Sequence, residues 1–474
     1  MFIGRTRELT ELNRLYHSTR FQMAVIYGRR RIGKTRIIQE FIKDKKAVYM
    51  MAVESNLPAN LELLSTAIYN AFQGETEAAA MPPFQSLENA FHYLTQKARQ
   101  QKIIFVIDEY PYLAQAEKSV SSLLQSLIDQ QWKQMNFMVI LCGSSMSFME
   151  HQVLGYKSPL YGRRTAQFLI KPMDYYESSL FVPDYSTEEK AVLYGFTGGV
   201  PQYLEMVDGS ASIKENLINL FLKPNAYLFE EPMNLIKQEM NEPANYNAII
   251  EAIARGATKL NEISTKVMLE TSNTSTYLKA LIALGLVEKE SAVTEKENRK
   301  KTSYRLHDQM FRFWYRYIPQ SMFLIQSGKG ERAYEKIIKP DLLNYMGGIF
   351  EKMCMQHIEW LGIQDQLPFD LMELGRWWGN NPVLKKQEEI DILAVNQAER
   401  KALLGECKYR NEVLETDVIY TLQQRALLFP QFVNKYFIFY SKSGFSESAL
   451  SYAQTHKEVR FVTLEEMYDR KEIS

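Results

Sequence analysis

Gly28-Arg29-Arg30-Arg31-Ile32-Gly33-Lys34-Thr35 is the stretch that decides how this chain folds. It matches G-x-x-x-x-G-K-[ST], a loop that wraps nucleotide phosphates. Its surroundings match too: residues 21–27 read as an apolar strand, and a helical pattern starts near Thr35. Glycines let consecutive backbone amides turn toward phosphate oxygens. The helix N-terminus behind them adds partial positive charge. Lys34 is placed to reach the β- and γ-phosphates, and Thr35 to ligate Mg²⁺. Gly28 to Arg36 is therefore the expected ATP-binding segment. A chance glycine-rich turn is the competing reading, and the agreement of strand, loop and helix speaks against it.

Working outward, Ile103-Ile-Phe-Val-Ile-Asp108-Glu109 supplies the complementary half of such a site. An apolar strand delivers Asp108 to the metal, and Glu109 is placed to activate the attacking water. A strand ending in a solvated acidic turn is the bland alternative. The next apolar strand, 137–142, ends in Gly143-Ser144, where Ser144 reads either as a γ-phosphate sensor or as a helix cap. Arg163 or Arg164 is a candidate to stabilise charge on the γ-phosphate, against a solvated pair. Apolar strands separated by helices predict a parallel sheet covered on both faces.

Past residue 170 the pattern becomes helical, as for a lid. Residues 244–320 read as three short helices and a two-stranded ribbon, a winged-helix pattern. Its second strand is preceded by a charged run holding Lys296, Arg299, Lys300 and Lys301 beside Glu295 and Glu297. The candidate recognition helix, 272–284, offers a single cation, Lys279, whereas phosphate neutralisation normally takes several. DNA contact and a packing or relay role both stay open. The aromatic run Phe311, Phe313, Trp314, Tyr315 and Tyr317 reads as core rather than a stacking platform.

Farther on, Glu389-Ile-Asp391 begins a strand and Gly405-Glu406-Cys-Lys408 ends the next. Glu406 and Lys408 lie two apart in a strand and so share a face. Asp391 and Glu406 can share a divalent ion, Mg²⁺ or Mn²⁺, with Lys408 orienting or activating water. Glu351, on the preceding helical segment, completes the acidic set, and Gln423 is a candidate support. This pattern resembles the PD-(D/E)xK nucleases, although no proline precedes Asp391. A nuclease-like fold without activity is the competing reading.

The order Phe2-Ile-Gly4-Arg5, the phosphate loop, Asp108-Glu109, Leu160-Tyr-Gly-Arg-Arg164 and Gly198-Gly-Val-Pro201 resembles the archaeal-type ATPases of the AAA+/STAND group. The resemblance implies that Phe2, Gly4 and Arg5 line the base side and that Pro201 brings the lid to the nucleotide. In that group a winged helix commonly relays the nucleotide state. Gly375-Arg-Trp-Trp-Gly, Glu389-Ile-Asp391 and Gly405-Glu-Cys-Lys408 are similar to the C-terminal domain usually fused to these ATPases.

Composition sets outer bounds. The chain has 474 residues, enough for two to four domains. Lys+Arg 56 against Asp+Glu 56 leaves no global field toward nucleic acid or membrane. Three cysteines with no metal-site spacing fit a reducing compartment. The N-terminus lacks a signal-peptide core, and no apolar run is long enough for a bilayer. The expected fold is α/β: a P-loop NTPase core over 1–170, a helical lid over 171–243, a winged helix over 244–320, a linker over 321–340, and a restriction-endonuclease-like domain over 341–474. The expected function is a cytoplasmic ATP-hydrolysing switch coupled to a metal-dependent DNA nuclease-like effector. It would act as a homo-oligomer or assemble on a signal. The alternative is a regulatory ATP-binding protein that binds DNA or a protein partner and cuts nothing.

Overall fold

The computed structural model describes residues 2–74, 81–294 and 302–470. They divide into two compact units, Met1–Pro172 with Val200–Gln202, and Met173–Gly199 with Tyr203–Ser474.

The first unit is built on five parallel strands: β1 (Gln22–Tyr27), β2 (Ala47–Met51), β3 (Ile103–Asp108), β4 (Phe137–Gly143) and β5 (Ala166–Leu169). Their order is β2-β3-β4-β1-β5, with every neighbouring pair parallel. All residues of β3 and β4 are buried, as continuous apolar strands in a sheet covered on both faces must be. One covering layer holds α1 (Thr6–Tyr16) and α2 (Lys34–Ile42), whose Leu12, Leu15, Ile37, Ile38 and Phe41 pack on Ala24, Ile26, Val106 and Ile140. Further helices include α3 (Leu57–Gln73), α4 (Leu87–Gln100), α5 (Tyr110–Ala116) and α6 (Val120–Gln130). The carboxyl ends of β1, β3 and β4 meet along one edge, where open α/β sheets bind ligands.

The second unit begins with lid helices α7 (Tyr175–Ser179) and α8 (Thr187–Thr197). Both start with a capping box, Asp174 with Glu177 and Ser186 with Glu189, which satisfies free amide donors at the helix start. The winged helix follows as α9 (Pro243–Ala254), α10 (Leu260–Val267), α11 (Thr271–Ala283) and the antiparallel ribbon β6 (Val287–Ser291) and β7 (Thr302–Leu306). The wing cations Lys296, Arg299, Lys300 and Lys301 lie outside the described residues.

Helix α12 (Gln309–Gln326) carries the aromatic run. Phe311, Phe313 and Tyr317 are fully or almost fully buried. Phe313 packs against Phe196 and Phe221 of the lid and against Tyr345 of α13 (Leu342–Ile363). The run is thus core, as its helical spacing suggests. The stretch 321–340 is largely helical.

The C-terminal sheet has the order β12-β11-β10-β9-β8, from β8 (Glu373–Asn381), β9 (Lys386–Asn396), β10 (Lys401–Lys408), β11 (Asn434–Ser441) and β12 (Val459–Thr463). It is mixed: β8, β9 and β10 form an antiparallel meander, and β11 and β12 add in parallel. Sequence patterning misses β8, because Gly375-Arg-Trp-Trp-Gly carries two glycines and a bulge between Gly375 and Trp377. Helix α14 (Thr416–Arg425) makes the crossover from β10 to β11, and the short α15 (Leu464–Tyr468) ends the described chain.

The winged-helix ribbon is not a free arm. Ala292 and Val293, just beyond β6, are buried in the C-terminal core with Trp377 and Ile390. Val293 N donates to Arg376 O at 2.9 Å.

Candidate active site

The phosphate loop leaves β1 at Gly28 and enters α2 at Gly33. Gly28 has φ 153, and a Cβ there would stand 2.5 Å from Ile170 O. Arg31 holds φ 73 and Gly33 φ 83, so the loop winds through left-handed conformations that turn its amides inward. Ile32 anchors it, fully buried in the sheet core. Strain of this kind is retained where the surroundings over-determine the backbone.

Within the loop, Lys34 is buried and its Nζ donates to Arg29 O at 2.9 Å. Arg29 is buried, Arg30 Nη2 donates to Tyr112 Oη at 3.1 Å, and Arg36 is exposed on the first turn of α2. Thr35 Oγ1 donates to Asp108 Oδ2 at 2.7 Å. The end of β1 is thereby joined to the end of β3, two strands away. Thr35 and Asp108 side by side fit a hydrated divalent cation held between a hydroxyl, a carboxylate and nucleotide phosphates. When bound, such an ion neutralises charge on the β- and γ-oxygens.

Glu109 follows with φ 51, a left-handed residue at the start of α5. Its Oε2 accepts from Ser144 Oγ at 2.9 Å and from Ser144 N at 3.2 Å. Ser144 therefore does something neither sequence reading foresaw: it holds the candidate water-activating carboxylate. Arg163 is tied to Asp129 at 2.5 Å and to the Pro159 carbonyl at 2.8 Å. Arg164 has one long bond, to Leu154 O at 3.4 Å, and its charge bears on the Tyr27 phenol just before the loop.

Arg5 is buried at the left-handed start of α1. Its Nη2 donates to Ile32 O at 3.1 Å and to Lys171 O at 2.7 Å, and Nη1 meets Glu8 at 3.3 Å. The guanidinium thus pins the phosphate loop to the chain leaving β5. Pro201 comes close as well: a Cβ on Gly33 would meet its Cγ at 3.7 Å, and Gln202 N donates to Arg31 O at 3.4 Å.

One participant was missed by sequence reasoning. Tyr49 Oη of β2 donates to Asp108 Oδ2 at 2.9 Å. The sequence signal is a phenol in the middle of a short, otherwise apolar strand.

In the C-terminal domain, β9 and β10 bring Asp391 and Glu406 together. Asp391 Oδ2 accepts from Cys407 N at 2.9 Å. Lys408 lies 2.5 Å from Glu406, as their shared strand face requires. Gln423, expected beside them, instead pairs with Tyr452 at 3.1 Å. Arg425, two residues on, takes that place and bridges Glu406 at 3.2 Å and Glu388 at 3.0 Å. Glu351 is drawn toward Arg376 at 3.5 Å, and Arg376 also faces Glu389 at 3.5 Å and Glu290 of β6 at 3.9 Å. Among the described residues, no group of three or more His, Cys, Asp or Glu side chains is arranged to hold a metal ion. Glu351, Asp391 and Glu406 are neighbours, Glu351 and Glu406 each facing a cation and Asp391 the Cys407 amide.

Burial raises the proton affinity of all three carboxyls. Burial and then the Asp391 charge push Glu351 up to about 7. Glu406 is raised by the same two causes, against Lys408, and Asp391 by burial, against Cys407 N. The folded state thus keeps protons that the unfolded chain releases above the ordinary value of 4.5. The stability that Glu351 contributes is therefore fully present below about pH 4.5 and is lost as pH rises through about 7. Glu351→Gln is expected to flatten that fall, read from urea midpoints at stepped pH.

Comparison with known proteins agrees with this architecture. Residues 2–207 match the family described as an ATPase domain predominantly from Archaea, and residues 314–419 match a family described as archaeal and bacterial proteins of unknown function. The uncharacterized protein MJECL04 of Methanocaldococcus jannaschii is 34% identical over 411 residues, covering 87% of this chain and 88% of that protein. The uncharacterized ATP-binding protein MJ0423 of the same organism is 41% identical over 46 residues, 10% of this chain and 78% of its own. Among solved structures, the Walker-type ATPase PABY2304 of Pyrococcus abyssi superimposes with TM-score 0.50 at 18% identity, over 66% of this chain and 96% of that one. At that identity the likeness shows the fold alone. No helix among the described residues is long and apolar enough to cross a membrane. The kinship over 87% of the chain and the matched domains place the chain in the archaeal-type P-loop ATPase family, with an ATPase domain followed by a domain of the second matched family.

Proposed function

We propose that this protein is a Mg²⁺-dependent ATP-hydrolysing switch whose C-terminal domain is a metal-dependent DNA phosphodiesterase. The observation that carries the first half is the convergence of Lys34, Thr35, Asp108 and Glu109 at one sheet edge. Lys34 meets the β- and γ-phosphates, Thr35 and Asp108 hold the metal, and Glu109 activates water once Ser144 yields it. Arg164 is the candidate cation for the γ-phosphate, and Pro201 carries the nucleotide state into the lid. The second half rests on Asp391, Glu406 and Lys408 meeting at the end of a meander. Asp391 and Glu406 would hold Mg²⁺ or Mn²⁺, and Lys408 would orient the attacking water. We assign the protein to the cytoplasm, which its three free, buried cysteines support. Assembly into a homo-oligomer or on a signal belongs to the same reading.

The winged helix is read as the relay. Burial of Ala292 and Val293 in the C-terminal core, and Arg376 standing between Glu290 and Glu351, favour that role over a DNA-reading arm. A second reading has its own support. Glu406 is neutralised by both Lys408 and Arg425, which suits a regulatory protein that binds DNA or a partner without cutting.

Cleavage of single-stranded, duplex and supercoiled DNA with Mg²⁺ or Mn²⁺, with and without ATP, separates the two. Cleavage is expected in the wild type and absent in Lys408→Ala. A response to ATP that Glu109→Gln alters would show coupling. No cleavage in any arm would favour the regulatory reading.

A further inference from the structure

Asp108 is fully buried, and both of its oxygens are engaged. Oδ1 accepts from Glu109 N at 2.9 Å, and Oδ2 accepts from Thr35 Oγ1 at 2.7 Å and Tyr49 Oη at 2.9 Å. The Cys142 side chain of β4 hydrogen-bonds Asp108 too, and these partners differ in kind. Glu109 N is the next residue of the same chain end and turns with it. Thr35 Oγ1 belongs to the phosphate loop, and its oxygen is also needed as a metal ligand. Tyr49 stands on β2, the strand beside β3, where Met51 is paired with Asp108 and Tyr49 with Val106. Its ring packs partly buried against the same core as α2 and β3. It is a donor fixed by the sheet rather than by the loop or by the carboxylate's own backbone, and the Cys142 thiol of β4 is another.

We infer that Tyr49 is a positioning residue for the nucleotide-bound metal, helping to set the plane of the Asp108 carboxylate from β2, the neighbour of β3 on the side away from β4 and β1. Through Oδ1 and Glu109 N, the same plane bears on where Glu109 begins. This rests on reading the site as a Mg²⁺-ATP site. With Thr35 turned toward the metal, loss of Tyr49 Oη would remove the oxygen donor that reaches Oδ2 from β2. The carboxylate would then rotate through orientations that do not face the metal.

The test is Tyr49→Phe, which keeps the ring and its packing. Fluorescence of a methylanthraniloyl-labelled ATP reports the nucleotide site alone, and is read in EDTA and against rising Mn²⁺. The variant is expected to bind the labelled nucleotide in EDTA as the wild type does, to melt at the wild-type temperature without nucleotide, and to need about tenfold more Mn²⁺ for the metal-dependent rise in affinity, the scale of one hydrogen bond to a charged group. A wild-type Mn²⁺ response that Tyr49→Phe leaves unchanged overturns the inference and spares the ATPase reading. A variant that loses melting temperature, nucleotide and metal affinity together shows a packing role and also overturns it. A wild type whose nucleotide affinity ignores Mn²⁺ overturns the metal-site reading and the inference with it.

Discussion

Lys34→Ala is expected to weaken ATP binding about a thousandfold without unfolding the protein. The side chain is buried in the phosphate loop, where its ammonium donates to the Arg29 carbonyl. Among the described residues no carboxylate pairs with it, so the charge is held ready for an anion. A unit charge about 4 Å from a phosphate charge, at an effective dielectric constant of about 20, contributes about 4 kcal/mol. That is about three decades of affinity. Removing the ammonium also removes a buried cation, so the nucleotide-free fold should lose little. Titration calorimetry with Mg²⁺-ATP measures the first effect, and thermal melting without nucleotide the second. Normal ATP binding by Lys34→Ala would refute the phosphate-loop assignment.

Gly199→Ala should have the largest effect on stability of any single methyl group in the lid. Gly199 has φ 73, and its added Cβ would lie 1.9 Å from Met173 O and 2.9 Å from Met173 C. The left-handed conformation alone costs an L-residue about 1–2 kcal/mol. The clash cannot be relieved by a rotamer, because the obstacle is backbone. It is moreover the backbone whose amide donates to Gly199 O at 2.8 Å. Separating the two residues breaks that bond, so a total of about 3 kcal/mol or more is expected. Gly198→Ala is the control: its φ is 64, but its Cβ would meet nothing closer than 3.4 Å. It should lose only the conformational part. Urea unfolding reads both as lowered midpoints, with an unchanged slope if the unfolding unit is the same. Gly199 also directly precedes Val200–Gln202, the segment held on the phosphate loop. Gly199→Ala is therefore expected to weaken ATP binding as well, and Gly198→Ala to do so less.

Most of the nucleotide site was legible in the linear chain, for a local reason. A phosphate loop is one continuous backbone segment, and its glycines, lysine and threonine must be neighbours in sequence to share one turn. Asp108-Glu109 was legible because a buried strand ending in two acids is rare without a cation to meet. What the motif did not carry was Tyr49, which reaches Asp108 only because β2 lies next to β3 in the sheet. Nor did it carry the Ser144–Glu109 bond, made by two strand ends from neighbouring positions. Arg5 resembled a base-side residue, and packing shows it spending its guanidinium on the Ile32 and Lys171 carbonyls.

The C-terminal site divides the same way. The strand-face rule put Glu406 and Lys408 together, since period two is a property of any strand. It could not choose between Gln423 and Arg425, which depends on the rotation of α14 over the sheet. Strand β8 escaped notice because its glycines and bulge hide the alternation. By itself, then, the sequence determined the elements whose physics is local: a phosphate loop, buried strands, a helical lid segment, a helical aromatic stripe. Only the tertiary structure decided which charges meet. Arg376 lies among Glu290, Glu351 and Glu389, three carboxylates from three elements, and ion pairs between distant segments are set by packing of the apolar faces beneath them, which no spacing along the chain encodes.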